Sequence, residues 1–271
     1  MERMATWQSS AWMLSFTKAD RRLELLCEDH VGTYVLPFLC RWSSGDWESV
    51  EIGRVNLMGH FGSLSRSPRR MSQMTIAYYD RMAEAYWDGT RDHDVSQNYA
   101  SLLDAIENDP PYSILDLGCG PGRDLRHFRS LGHNAVGLDG SKEFVAMARS
   151  YSGCEVLHQD FLAMVLPQSR FDGVFANASL FHVPSQELPR ILLELRETLR
   201  PRGVLFCSNP RGNNEEGFSD GRYGCFFDLD TWRNYVGAAG FFEVGHYYRP
   251  PGLPRQQQPW LATVWRKGYP P

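Results

Sequence analysis

The sequence predicts an α/β fold, a doubly wound and mostly parallel sheet ending in a C-terminal antiparallel hairpin, on three observations. From Ser72 onward, short apolar runs alternate with segments of helical spacing, the pattern of a parallel sheet covered on both faces. One junction, Ile114–Phe128, reads ILDLGCGPGRDLRHF: an apolar strand runs straight into a glycine-rich turn and a helix. Near the C-terminus two apolar runs are joined by RPPGLPRQQQP, a spacing that suits a hairpin rather than another crossover helix.

Residues 1–70 differ in character from the rest. Leu23–Cys27, Thr33–Leu39 and Trp47–Val55 read as short strands between turn signals, and Gly62–Gln73, GSLSRSPRRMSQ, has linker chemistry. Residues 1–70 are thus an N-terminal extension, either a small β ribbon or sequence upstream of the natural start. Met71 and Met74, standing where the regular pattern begins, favour the second reading. No chemistry is assigned to this segment, and residues 71–271 form the main domain. Helices are expected at Gln73–Asp88 and Val95–Asn108; in the latter Val95, Tyr99, Leu102, Leu103 and Ile106 share one face. Strands follow at Ser113–Leu117, Ala135–Asp139, Cys154–His158, Gly173–Asn177 and Gly203–Ser208, with helices at Arg123–Leu131, Ser141–Tyr151 and Ser185–Leu199 between them. Ser141 and Ser185 read as N-caps, and Pro201–Gly203 as the stop of the long helix. A helix at Leu229–Ala239 precedes the closing strands Phe241–Tyr248 and Pro259–Arg266.

Composition narrows the class. The chain has 271 residues, 42% hydrophobic and 22% charged, ordinary for a soluble globular protein. No apolar run approaches bilayer length and no signal-peptide core is visible, so a cytoplasmic protein without a membrane partner is expected. Cysteines 27, 40, 119, 154, 207 and 225 lack metal-ligand spacing, so neither a metal nor disulfides are expected. Net charge is +1 over residues 1–72 and −5 over residues 73–271. A main domain without basic excess argues against a nucleic-acid partner. Oligomeric state is left open.

In ILDLGCGPG three glycines alternate: Gly118, Gly120 and Gly122. Glycine brings the backbone close to a ligand, and the helix starting near Arg123 aims unpaired N–H groups at the crevice where such sheets bind. A dinucleotide fingerprint needs GxGxxG, but Arg123 occupies its third glycine position, and no GK[ST] P-loop is present. Asp139 follows Gly118 by 21 residues and ends the second strand in AVGLDGS. There it can accept both hydroxyls of a ribose, although taken alone it would equally be a helix cap or turn residue. Asp160 in HQDF follows the third strand; it can accept an adenine amino group while Phe161 packs on the ring.

Residues 75–266 resemble a class I S-adenosylmethionine-dependent methyltransferase of the branch acting on small molecules. The family's motifs stand in order: LDLGCGPG (115–122), GLDGS (137–141), HQDF (158–161), FDGVFANASLFHVP (171–184) and LRPRGVLFCS (199–208). The resemblance implies a Rossmann-like sheet of seven strands with an antiparallel last strand, S-adenosyl-L-methionine as cofactor, and in-line methyl transfer to a small-molecule acceptor. It also implies roles. Asp116 and the backbone of Gly118, Gly120 and Gly122 would hold the methionine moiety, Asp139 the ribose, and Asp160 with Phe161 the adenine. Asn177 would sit beside the sulfonium, with Arg123 and Tyr79 completing the cofactor set.

Such chemistry depends mainly on aligning nucleophile and methyl, worth roughly 7–11 kcal/mol. A base is needed only for a protonated nucleophile, and His182 in LFHVP is the candidate, against a plain structural histidine. Tyr78, Tyr79 and Tyr86 in AYYDRMAEAYW (77–87) would form a lid over the cofactor, or simple core. NPRGNNEEGFSDGRYG (209–224) and RPPGLPRQQQP leave strand carboxyl ends and are long enough to be functional. They carry Arg211, Arg222, Arg249 and Arg255, of which one or more would clamp an anionic group on the acceptor, with Tyr223 beside them. Two alternatives share these motifs: a nucleic-acid or protein methyltransferase targeted by residues 1–70, and a non-catalytic cofactor-binding subunit. Against the first stand the acidic main domain and the lack of an NPPY-type tetrad after the fourth strand. The intact motifs speak against the second.

Overall fold

A computed structural model describes residues 67–268 continuously and, before them, the backbone of three strands. The chain divides into two units, Met1–Val55 and Asn56–Pro271. In the first, β1 (Trp12–Thr17), β2 (Arg22–Asp29) and β3 (Gly32–Phe38) form an antiparallel sheet in that order. Two expected strands fall on β2 and β3, β1 was not expected, and the expected strand Trp47–Val55 lies outside the described residues.

In the second unit three helices precede the main sheet: α1 (Pro68–Arg81), α2 (Ala83–Thr90) and α3 (Ser96–Leu103). The single helix expected over Gln73–Asp88 is broken at Met82, whose φ of −102° and ψ of 11° depart from helical values. The regular part runs β4 (Ser113–Leu117), α4 (Arg123–Ser130), β5 (Asn134–Asp139), α5 (Lys142–Ser152), β6 (Glu155–His158) and β7 (Phe171–Asn177). It continues through α6 (Leu188–Thr198), β8 (Leu199–Pro210), β9 (Glu215–Ser219), β10 (Arg222–Phe226), α7 (Leu229–Ala238), β11 (Phe241–Arg249) and β12 (Trp260–Lys267).

The seven-stranded sheet has the order β11-β12-β8-β7-β4-β5-β6. Only β12 is reversed, antiparallel to both β8 and β11, which gives the expected C-terminal hairpin. Strand order changes direction between β4 and β7, the place where an open α/β sheet leaves a crevice at its carboxyl ends. Side chains alternate across the sheet with period two. Leu115, Val174 and Leu205 pack with Ile191, Leu195 and Trp232 on one face. Ile114, Phe175 and Phe206 pack with Leu102, Leu125 and Phe128 on the other. With both faces apolar, the strand ends are the remaining outlet for polar function.

Local chemistry places the elements. Ser141 caps α5, its Oγ accepting from Phe144 N at 3.2 Å. Ser185 caps nothing: α6 begins at Leu188, and Ser185 N donates to Glu216 Oε2 at 3.2 Å. The long helix stops at Thr198 and the strand begins at Leu199, before Pro201; a proline excludes helical geometry from the residue ahead of it. Within the segment read as a long loop lies a hairpin, β9–β10, closed by Asp220 (φ 50°) and Gly221 (φ 80°). Two positive φ values match the right-handed strand twist.

Candidate functional site

At the carboxyl ends of β4, β5, β6 and β7 two cavities adjoin, sharing Tyr79, Tyr86, Gly118, Gly120 and Ala178 along a common rim. Ala178 follows β7 with φ of 59°, a left-handed conformation costing a non-glycine residue of order 1–3 kcal/mol and found mainly at functional sites. The first cavity encloses about 660 Å³, part of it open to solvent, and brings together Asp139, Asp160 and Phe161. The second is larger and extends toward Asn98, Arg222 and Arg249.

Asp139 is held from two sides, Oδ2 accepting from Gly120 N at 2.9 Å and Oδ1 from Ser141 N at 2.8 Å. Burial raises its pKa to about 6, and those same N–H donors oppose the rise. Asp160 Oδ1 accepts from Leu162 N at 2.9 Å and from Ser72 Oγ at 2.7 Å, tying α1 across the first cavity. Gly120 has φ of 52°, and a Cβ built there would meet only Tyr86, at 3.9 Å, so its backbone faces the shared rim.

Gly122 behaves differently from the expectation that it faces a ligand. Its φ is 94°, it forms the N-cap of α4, and a Cβ would lie 2.8 Å from Ala148 Cα. Its smallness lets α4 pack on α5, which is a structural duty. Asp116 lines neither cavity; it is buried beneath the turn, and its Oδ2 has no partner among the described residues. Burial and the nearby Asp124 charge push its pKa well above the usual carboxylate value.

The second cavity rests on a network that sequence reading missed. Asp124 Oδ1 accepts from Tyr99 Oη at 2.6 Å and from Arg123 Nε at 2.7 Å, and its Oδ2 accepts from Asn177 Nδ2 at 3.3 Å. Asn177 Oδ1 in turn accepts from Asn98 Nδ2 at 3.0 Å, and Asn98 Oδ1 accepts from Tyr247 Oη and Arg249 Nη1. Arg123 and Asn177 thus reach the cavity wall with their polar atoms shared among neighbours. Asp124 was visible as an acid in the first helical turn; nothing local marks Asn98.

His182 lines the first cavity but has both ring nitrogens engaged. Nδ1 lies 2.5 Å from Tyr223 O, and Nε2 lies 2.8 Å from Tyr79 Oη. A carbonyl only accepts, so Nδ1 carries the proton and Nε2 accepts from the tyrosine hydroxyl. Burial lowers the pKa to about 4, with Arg222 adding to the fall against the Tyr223 carbonyl. The expected base therefore has no lone pair for an acceptor; His182 holds Tyr79 in place. Tyr79 and Tyr86 line both cavities, whereas Tyr78 lies under Arg222, its centroid 5.0 Å from the guanidinium carbon.

The arginines separate in the same way. Arg222 and Arg249 line the second cavity. Arg211 is outside both cavities; it donates to the carbonyls of Gln258 (2.7 Å) and Arg255 and so ties two loops together. Arg255 sits over the Tyr248 ring. Tyr223 does not face the acceptor side: it is buried with Met71 and Cys225 where β10 packs on α1, and its N donates to Thr75 Oγ1 at 2.9 Å.

Comparison with known proteins agrees with this geometry. Residues 114–203 match the family model for a methyltransferase domain. The chain is 35% identical over 172 residues to an uncharacterised 37.1 kDa protein in transposon TN4556 of Streptomyces fradiae, covering 58% of this chain and 46% of that one. It is 37% identical over 93 residues to a malonyl-[acyl-carrier protein] O-methyltransferase of Pectobacterium atrosepticum, covering 34% and 36%. The chain spans less than half the length of either relative. A Burkholderia thailandensis 1,6-didemethyltoxoflavin-N1-methyltransferase, solved with its namesake and S-adenosylhomocysteine, superposes with a TM-score of 0.62 at 17% identity, covering 94% of this chain and 99% of that one. The methyltransferase-domain match thus runs from β4 to the start of β8, the part of the sheet that carries the glycine turn and the strand-end acids. Among the described residues no helix is long and apolar enough to cross a membrane.

Proposed function

We propose that the protein transfers the methyl group of S-adenosyl-L-methionine to a small-molecule acceptor. The observation that carries this reading is the pair of cavities joined over one glycine turn, one at the strand ends that brings together Asp139, Asp160 and Phe161 and a second beyond Gly118 and Gly120. The residues fit the cofactor: a backbone surface at Gly120 where a Cβ would meet one ring atom, and an unpartnered buried oxygen on Asp116 beside the turn. When bound, S-adenosyl-L-methionine supplies a methyl group on a sulfonium, a strong electrophile.

In this reading the Asp139 carboxylate accepts the ribose hydroxyls, while Asp160 and Phe161 receive the adenine. Asp116 lies buried beneath the turn at the methionine end, its Oδ2 without a partner among the described residues, with Arg123 and Asn177 bounding that end. Tyr79, held by His182, closes over the rim, leaving alignment and water exclusion as the chain's main contributions. That the acceptor is a small molecule is supported by the second cavity and by the names of the relatives, which include sterol and malonyl-carrier methyltransferases. Calorimetric titration with S-adenosylhomocysteine should reveal one site, and isotopic methyl should pass from S-adenosyl-L-methionine to a compound in a metabolite extract. Binding without transfer would reduce the protein to a cofactor binder, and absence of binding would end the reading.

A further inference from the structure

The charges and rings of the second cavity carry a statement about the acceptor, resting on the methyl-transfer reading above. Arg222 opens β10 directly after the Asp220–Gly221 turn, with its guanidinium carbon 5.0 Å from the Tyr78 centroid and 5.9 Å from the Tyr79 centroid. Its Nε is buried without a partner among the described residues. Since Tyr79 belongs to both cavities, this cation stands beside the passage between them.

The other arginines of this cavity are committed. Arg249 donates to Asn98 Oδ1 at 3.1 Å and to Asp94 O at 2.6 Å. Arg123 pairs with Asp124 at 2.7 Å and donates to Thr90 O at 2.9 Å. Arg222 hydrogen-bonds no carboxylate or carbonyl among the described residues; its contacts are the two tyrosine rings and the Tyr79 hydroxyl, with the Asp220 charge acting on it from the turn. With a sulfonium bound near the shared rim, the Arg222 guanidinium would be a second cation, and an anionic acceptor would relieve their repulsion. The same cavity is also lined by Trp87, Phe181 and Trp260, flat surfaces that favour a ring.

We propose that the acceptor is a planar aromatic carboxylic acid, its ring among Trp87, Phe181 and Trp260 and its carboxylate on Arg222. A carboxylate oxygen forms the bond to the methyl carbon, the carbon–sulfur bond breaks, and that electron pair returns to sulfur. The acceptor's negative charge and the sulfonium's positive charge cancel, leaving a neutral methyl ester and a thioether with no proton moved. That balance agrees with a histidine whose ring nitrogens are both engaged. The neutral ester also loses its hold on Arg222, which favours release.

The test is calorimetric, with 2-naphthoate as probe and 2-naphthamide as its neutral analogue, each titrated with and without saturating S-adenosylhomocysteine. The carboxylate should bind about tenfold or more tightly than the amide. Arg222→Gln should bring the ratio to about one while leaving the thermal midpoint and S-adenosylhomocysteine affinity nearly unchanged, and Arg222→Lys should restore part of it. Equal binding of acid and amide would overturn the proposal, as would a preference that survives in Arg222→Gln. Decanoate binding as well as 2-naphthoate would overturn its aromatic half. A wild-type protein that takes 2-naphthoate but not S-adenosylhomocysteine would instead defeat the methyl-transfer reading and leave the anion site standing.

Discussion

The two cavities meeting at Tyr79 are built by different means. The first stands on successive strand ends, so a glycine turn, Asp139 and Asp160 reach it within 43 residues of Gly118 by local geometry. The second is closed by side chains far apart in the chain: Asn98 meets Asn177 across 79 positions and Arg249 across 151. The first cavity is thus part of the sheet framework. Part of the second cavity's wall comes from attachments to that framework: α1, the β9–β10 hairpin and the loop before β12. Attachments can change chemistry without disturbing the core, which is how one fold serves many acceptors.

Five substitutions probe that contrast. The largest effect is expected inside the framework, at Gly122, where Ala brings both a left-handed φ and a Cβ 2.8 Å from backbone. Gly122→Ala should lower denaturant stability by about 3 kcal/mol or more. Gly132→Ala, at φ of 85° with nothing within 4 Å, should cost only about 1–2 kcal/mol. Equal losses would show that the α4–α5 contact does not demand glycine.

Next comes the hinge between cavities. His182 binds its proton with a pKa of about 4 when folded against 6.5 when free, so the unfolded chain holds more protons between those values and stability falls as pH falls through that window. Asp139 runs oppositely: its folded value, about 6, exceeds 3.8, so its contribution grows as pH falls from 6 toward 3.8. Comparing wild type with His182→Gln isolates the first term. The variant should lose less stability from pH 7 to pH 4, by roughly 3 kcal/mol at most, and parallel pH profiles would mean that His182 is not buried as a neutral ring.

Asp139→Asn should weaken S-adenosylhomocysteine binding about tenfold or more, roughly 1.4 kcal/mol, with wild-type affinity rising as pH passes upward through 6. Unchanged affinity in calorimetry would move the nucleoside elsewhere. The smallest effect belongs to Arg211→Gln, which removes a tie between loops. A stability loss under about 1 kcal/mol and intact 2-naphthoate binding are expected; a large loss of the probe would restore Arg211 to the acceptor side.

Much of the fold was legible because its signals are local. Ser113–Leu117 was read to the residue, and Asp139 ended its strand as expected. The hairpin was missed although its mark was present: Asp220–Gly221 is a two-residue turn of the favoured kind, obscured by a flank, EEGFS, with little strand character. Tyr223 was misplaced because a strand's two sides cannot be told apart before its partner is known. Its alternate neighbour Arg222 faces the cavity while Tyr223 faces α1.

By itself the sequence determined the order of elements and the turn and strand-end acids of the first cavity, because each depends on residues a few positions apart or on strand periodicity. Tertiary structure alone decided that His182 is capped by Tyr79, that Asp124 and Asn98 organise the second cavity, and that Arg222 rather than Arg211 keeps its charge available. Those outcomes depend on which partners arrive from distant segments to satisfy each buried donor and acceptor, and spacing along the chain does not contain that information.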